Sequence, residues 1–247
     1  MLTGRELLIT LANRHQGDWH HIYSALQARD CGDITHAEGD QRCITLLDEV
    51  YPDSLKRTYQ APLVLFYKGD ISLLSEKDSV AIIGKREPSG EAEMFTDEFV
   101  RSCIASDRVI ITTLAKGIGA TATLSALESG HKVIAVLGSG IDYCYPECNK
   151  DLYDRIIAEG GLVISEYPFS TAPTMHSFPM RNRIVVGLAE SVCSIEASPQ
   201  SGTALALTMA LSQNKPIFAK PNPMEKNDFN NRLIDEGANC LTLDTTI

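Results

Sequence analysis

Ser79-Val-Ala-Ile-Ile-Gly84 is an unbroken apolar run that ends in a glycine, and Lys85-Arg-Glu-Pro-Ser89 follows it directly. Such a run is typical of a strand buried on both faces, and the glycine begins a turn toward a helix. The same order recurs at 109–119, 133–140 and 192–203. This alternation predicts a parallel sheet whose turns meet at one edge, where helix N-termini present free N–H groups. That edge is suited to phosphate.

The size and composition of the chain are those of a folded α/β protein. It has 247 residues, of which 44% are hydrophobic and 22% are charged. No apolar run approaches the roughly 20 residues that span a bilayer, and the N-terminus lacks a secretory signal, so we expect no membrane association. Seven scattered cysteines indicate reduced thiols and a cytoplasmic location. Cys144 and Cys148 have no nearby histidine, so no metal site is predicted.

The charge of the chain limits how it could bind a polyanion. The formal net charge is −10, and residues 75–220 alone carry 13 lysines and arginines against 17 aspartates and glutamates. A surface that is positively charged throughout, for binding nucleic acid, is therefore excluded. Any polyanion must be held by a local cluster of cations and backbone amides.

The sequence predicts two parts, a small helical region at 1–45 and a larger domain at 46–247. Leucines at helical spacing predict two short helices near the N-terminus, and a polar stretch follows at 30–42. Residues 61–69 predict a strand that enters the larger domain. Beyond it we expect a doubly wound, mostly parallel sheet. Its strands are predicted near 79–84, 109–114, 132–138, 162–166, 191–197, 216–219 and 239–243, and its helices near 89–105, 119–129, 147–159, 182–189, 203–213 and 228–236.

The first two turns of the predicted sheet each carry cations. Gly84 permits close approach of a ligand, and Lys85 and Arg86 lie where a phosphate would be cradled, although both could be solvated loop residues. Lys116-Gly117 lies in the next turn, where the G-x-G-x-x-G spacing of a dinucleotide site is absent. Small residues there would equally allow tight packing of the helix on the sheet.

Two further turns carry small residues. Gly138-Ser139-Gly140 at the end of a strand favours a close ligand approach. Ser201-Gly202-Thr203 opens a helix and could hold a phosphate, although Thr203 could instead cap that helix.

Phe178-Pro-Met-Arg181-Asn182-Arg183 is the most unusual stretch. Cations are disfavoured at a helix N-terminus, so two arginines beside an asparagine require an explanation. Two explanations are open: the arginines bind an incoming anion, or they pair with a carboxylate of the chain such as Glu166 or Glu196. Phe178 could stack on a base or pack in the core.

No catalytic residue is predicted. Glu166 follows a buried strand, but no nucleophile and histidine accompany it, and the six histidines form no motif.

Taken together, these segments resemble the DNA-processing protein A family, also called DprA or Smf. The most specific are Gly138-Ser-Gly-Ile-Asp142 with Tyr145-Pro146, and Phe178–Ile184 with its Arg-Asn-Arg core. The resemblance covers about residues 45–240. It implies an extended Rossmann-like domain that binds single-stranded DNA and passes it to the recombinase RecA in natural transformation and recombination. It also implies a protein that is not an enzyme, needs no cofactor and forms a homodimer.

By match to the family motifs, the phosphate-facing positions would be Gly84, Arg86, Lys116, Arg181 and Arg183, with Ser201 and Gly202 at the neighbouring turn. Many members carry a winged helix after the core, which we do not expect in this chain.

The chain departs from the family pattern at several positions. Lys85 replaces the usual serine, Gly119 replaces an aspartate, and Thr121 replaces a histidine. We therefore expect a diverged member. A nucleotide sensor or an interaction module on the same fold remains the alternative, while nucleotide hydrolysis is disfavoured because Ser201–Ala206 contains no carboxylate.

Overall fold

The computed structural model describes residues 3–30, 42–76, 78–225 and 228–245, and the structural statements below refer to these residues. Its strands are β1 (Cys43–Thr45), β2 (Val64–Gly69), β3 (Ser79–Ile83), β4 (Val109–Thr112), β5 (Val133–Gly140), β6 (Leu162–Tyr167), β7 (Ser191–Ser194), β8 (Ile217–Ala219) and β9 (Asn239–Cys240). Its helices are α1 (Gly4–Arg14), α2 (Trp19–Ala28), α3 (Asp53–Lys56), α4 (Gly90–Ala105), α5 (Ile118–Glu128), α6 (Lys150–Ala158), α7 (Ser177–Leu188), α8 (Gly202–Ser212) and α9 (Phe229–Asp235). None of the described helices has both the length and the hydropathy needed to cross a bilayer.

The strands form one sheet in the order β1-β2-β6-β5-β4-β3-β7-β8-β9. The pairs from β6 to β9 are parallel, whereas β2 pairs antiparallel with both β1 and β6. From β3 the chain adds β4, β5 and β6 on one side and β7, β8 and β9 on the other, so the order of the connections reverses beside β3, between β4 and β7. In open α/β sheets, ligands bind beside such a reversal, at the carboxyl ends of the strands.

Helices cover both faces of the sheet because its strands are apolar on both sides. Val80 and Ile82 face the layer of α1, α2, α4, α5 and α6, while Ala81 and Ile83 face the layer of α3, α7, α8 and α9. Burial of both faces accounts for the unbroken apolar runs in the sequence.

The predicted fold class, an α/β, doubly wound, mostly parallel sheet with small N-terminal helices, is confirmed. The polar stretch predicted at 30–42 lies largely outside the described residues, and the division at residue 45 stays a prediction. Helix α3 and strand β1 were not predicted, and the start of helix α7 differs from the sequence prediction. Helix α7 begins at Ser177 instead of residue 182, because Pro179 falls in the first helical turn, where no N–H donor is required.

Candidate nucleic-acid interface

Two adjoining cavities form a groove at the carboxyl ends of β3 and β4, between the first turns of α7 and α8. We call them the α8 cavity, of about 330 Å³, and the Tyr145 cavity, of about 300 Å³, and together they are the edge groove. Both are lined by Arg86, Thr113, Ala115, Phe178 and Arg181. The α8 cavity adds Gly84, Lys85, Asn182, Ser201, Gly202, Thr203 and Leu205, and the Tyr145 cavity adds Glu87, Lys116, Tyr145 and Pro146.

Arg181 supplies a buried cation to the wall of the edge groove. Only 6% of the residue is exposed, and its Nη1 donates to the carbonyl oxygens of Thr113 (2.7 Å) and Val136 (2.9 Å). Within the described chain its guanidinium forms no ion pair with a carboxylate. Burial and the nearby Arg86 cation lower the pKa of Arg181 well below its ordinary value. A buried charge that lacks a counterion is costly, so this guanidinium favours an incoming anion.

Asn182 fixes the position of Arg181 relative to α8. Its Oδ1 accepts from Arg181 Nε (3.0 Å), and its Nδ2 donates to the carbonyl oxygen of Gly202 (3.0 Å). The amide therefore joins the buried guanidinium to the first turn of α8 and does not itself face a ligand as a free group.

Arg86 and Lys116 supply two exposed cations. The Arg86 guanidinium lies 5.6 Å from the centre of the Phe178 ring, and the ring of Tyr145 lies 5.5 Å from that of Phe178. Neither Arg86 nor Lys116 forms an ion pair with the described residues. Exposed cations beside aromatic rings are the usual components of a surface for single-stranded nucleic acid.

The N-terminus of α8 adds backbone donors. Ser201 caps the helix by accepting from the N–H of Ala204 (3.1 Å), and the Thr203 hydroxyl donates to the carbonyl oxygen of Gly84 (3.0 Å). Ser201, and not Thr203, is therefore the N-cap of α8. The hydrogen bond of Thr203 connects α8 to the end of β3. The first N–H groups of the helix, at Gly202 and Thr203, border the α8 cavity and carry the positive end of the helix dipole.

Two glycines bring the cationic turns together. A Cβ added to Gly84 would lie 2.5 Å from Ile118, and one added to Gly117 would lie 2.4 Å from the carbonyl oxygen of Lys85. Gly117 also has a φ of +69°, which side chains other than glycine rarely adopt. Both glycines therefore serve packing of the turn after β3 on the turn after β4.

We expect Gly117→Ala to destabilise the protein by about 1–3 kcal/mol, because alanine would be strained at this φ and would collide with Lys85. Urea unfolding followed by circular dichroism measures the change. Gly90→Ala is the matched control, since its Cβ would meet nothing within 4 Å. Equal stability of the two variants would contradict the packing role of Gly117.

Lys85 is engaged in an internal ion pair. Its Nζ lies 2.7 Å from Glu196 Oε1, and its backbone N–H donates to the carbonyl oxygen of Glu196. Glu196 also accepts from the N–H and the hydroxyl of Ser89, and these contacts lower the pKa of the Glu196 carboxyl against the effect of its burial. The charge of Lys85 is thus paired with Glu196 although the residue lines the α8 cavity, and its contact with phosphate stays a prediction.

Arg183 is also engaged internally, two residues from the groove-lining Arg181. Its Nη2 lies 2.7 and 2.9 Å from the two oxygens of Glu166, and both side chains are at most 4% exposed. Its other nitrogens donate to the carbonyl oxygens of Gln60 and Met180. Of the two explanations open for the arginine pair, the partner carboxylate holds for Arg183, which does not line the edge groove. For Arg181 the incoming anion stays a prediction.

Gly138, Ser139 and Gly140 are buried as the last residues of β5. A Cβ on Gly138 would lie 3.0 Å from the Phe178 ring, and the Ser139 hydroxyl donates to the carbonyl oxygen of Tyr143 (2.6 Å). Gly138 therefore lets α7 pack closely on the sheet, whereas Gly140 packs against the loop at 168–171. None of the three lines the edge groove, and their approach to a ligand stays a prediction.

The structure thus gathers Gly84, Arg86, Lys116, Phe178, Arg181, Ser201, Gly202 and Thr203 at one edge, with Lys85, Gly117 and Asn182 as supporting residues. Sequence reasoning missed Thr113 and Tyr145. Tyr145 was recognisable only as part of a Tyr-Pro pair that follows a strand. Among the described residues no cluster of His, Cys, Asp or Glu could hold a metal ion.

The fold and the edge groove define a class: a Rossmann-like α/β protein whose sheet edge presents one buried and two exposed cations. The sequence profile of the DNA recombination-mediator protein A family matches residues 42–247. The chain belongs to this family.

Among its relatives is the DNA processing protein DprA of Streptococcus pneumoniae, which is 38% identical over 200 residues, or 80% of this chain and 70% of the relative. Protein Smf of Synechocystis is 34% identical over 84% of this chain. The chain spans 51% of that relative, about half its length.

Two solved structures are similar to this one. The DNA processing protein A of Streptococcus pneumoniae superposes with a TM-score of 0.80 at 30% identity, covering 96% of this chain and 93% of that protein. The protein of Helicobacter pylori, whose structure concerns its single-stranded DNA binding mode, gives a TM-score of 0.74 at 29% identity and covers 82% of this chain and 93% of its own.

Proposed function

We propose that the edge groove binds single-stranded DNA. The observation that carries this proposal is the Arg181 guanidinium, which is buried at the groove wall and has no carboxylate partner among the described residues. A phosphate held there would also meet the N-terminus of α8 and the Arg86 cation. Each of these groups binds phosphate through charge or N–H donors.

The shape of the edge groove favours a single strand over a duplex. Phe178 and Tyr145 offer ring surface beside the cations, and bases reach such surface only when they are unpaired. The relative from Helicobacter pylori has a single-stranded DNA binding mode, which supports the same class of ligand here.

The acidic remainder of the molecule confines the strand to the groove. With a net charge of −10, surface outside the edge groove repels phosphate, so few contacts are available. We therefore expect affinity that falls as salt rises, with a slope set by a small number of phosphates.

The proposed role is non-catalytic. The protein would hold single-stranded DNA in the cytoplasm and present it, as a homodimer, to a RecA-type recombinase during DNA uptake and recombination. Membership of the recombination-mediator family supports this assignment.

Arg86→Gln tests the exposed part of the groove. We expect about fivefold weaker binding of a fluorescent 20-residue thymidine oligonucleotide, together with a salt slope reduced by about 0.7, because one phosphate contact on a single strand is lost. Fluorescence anisotropy over a salt series measures both. Lys56→Gln is the control, since Lys56 is an exposed cation that lines neither cavity.

A wild-type protein that does not bind this oligonucleotide at low salt would overturn the proposal. Binding of a duplex as tightly as the single strand would contradict the role of the aromatic rings. Equal affinity for thymidine monophosphate and for the oligonucleotide would favour the alternative of a nucleotide sensor.

A further inference from the structure

The edge groove has two compartments, the α8 cavity and the Tyr145 cavity. The Arg86 guanidinium lies 5.6 Å from the centre of the Phe178 ring, and these two residues line both compartments. The volumes of the two cavities are nearly equal, at about 330 and 300 Å³. A ligand that fills the edge groove therefore has two parts of similar size.

Each compartment combines a phosphate-binding group with a surface for a base. The α8 cavity has the helix N-terminus and the apolar side chain of Leu205. The Tyr145 cavity has Lys116 and the ring of Tyr145, which is 46% exposed. Arg181 lies at the back of both cavities, where a phosphate between the two parts would reach it.

The rings of Phe178 and Tyr145 contact each other at the wall of the Tyr145 cavity. Phe178 and Tyr145 have their centres 5.5 Å apart and their planes inclined at 41°. Because Phe178 covers part of Tyr145, the exposed remainder of the Tyr145 ring is the surface on which one base can stack.

We propose that the edge groove is a dinucleotide site in which successive nucleotides occupy the α8 cavity and the Tyr145 cavity. Tyr145 is then a binding residue that stacks the base of the second nucleotide, and Arg181 holds the phosphate between the two. This inference rests on the proposed function and specifies its ligand.

Competition against a fluorescent 20-residue thymidine oligonucleotide tests the two compartments. The competitors are 5′-phosphorylated thymidine as the mono-, di- and trinucleotide. For the wild type we expect the largest gain in affinity between mono- and dinucleotide. Tyr145→Leu should reduce the gain from mono- to dinucleotide by at least about fivefold, the effect of losing one stacked base.

Tyr143→Leu is the matched control. Tyr143 is 44% exposed, lies in the same loop and lines neither cavity, so its replacement should leave the gain unchanged. Circular dichroism verifies that both variants fold. If the wild type binds the long oligonucleotide but Tyr145→Leu keeps the full gain from mono- to dinucleotide, the two-compartment site is wrong while the proposed function stands. If the wild type binds no oligonucleotide, both fail.

Discussion

Arg181→Met is expected to weaken binding of a thymidine oligonucleotide by about 10- to 100-fold, the equivalent of one charge-assisted hydrogen bond. Among the described residues that line the edge groove, this guanidinium is the only buried cation, and it pairs with no carboxylate, so no other buried charge replaces it. Anisotropy at constant salt measures the loss. Methionine fills much of the same volume, and removal of an uncompensated charge offsets the lost bonds to Thr113 and Val136, so we expect the variant to fold.

Arg181→Lys separates charge from geometry. Lysine keeps the charge but lacks the planar guanidinium, which can contact the two carbonyl oxygens and an anion at the same time. The affinity of Arg181→Lys should therefore lie between that of the wild type and that of Arg181→Met. Lys56→Met should bind as the wild type does. An Arg181→Met protein with affinity within twofold of the wild type would remove the main support for the edge groove as the DNA site.

Arg183→Met is expected to reduce the free energy of unfolding by about 3–5 kcal/mol at pH 7, because it leaves the Glu166 carboxylate buried and unpaired. It also leaves the carbonyl oxygens of Gln60 and Met180 without their donor. Urea unfolding followed by circular dichroism measures the change. The double variant Glu166→Gln/Arg183→Met removes the buried charge and should recover part of the loss.

The loss caused by Arg183→Met should depend on pH. Burial already raises the pKa of Glu166 above its ordinary value, and Arg183 opposes that rise. Without Arg183 the pKa in the folded protein is higher still, so the folded state binds a proton that the unfolded state does not. Stability of the variant therefore increases as pH falls from 7 toward 5. A loss independent of pH would show that Glu166 is not the cause.

The alternation of strands and helices was predictable because each central strand is apolar on both faces. Val80 to Ile83 pack alternately into the two layers, and only an unbroken apolar run satisfies both. The start of α7 was not predictable, since Pro179 and the polar residues before it are equally typical of a loop. The antiparallel pairing of β2 with β6 joins segments about 100 residues apart, a contact that local patterns do not encode.

The position of the candidate site was predictable, but the role of each cation was not. Arg181 and Arg183 are two residues apart on α7, so their side chains leave the helix about 200° apart. One faces the edge groove and the other faces Glu166. Lys85 and Arg86 diverge in the same way within one turn. Only the fold determines which member of each pair meets an internal carboxylate.

The amide of Asn182 bonds to both Arg181 and Gly202, and so connects the two elements that we propose to bind phosphate. These bonds hold the separation of the two elements without a ligand. The conformational entropy lost on binding DNA would then be mostly that of the DNA, whose flexible backbone must adopt the shape the protein already has. We therefore expect the affinity to depend more on the stiffness of the oligonucleotide than on the flexibility of the protein.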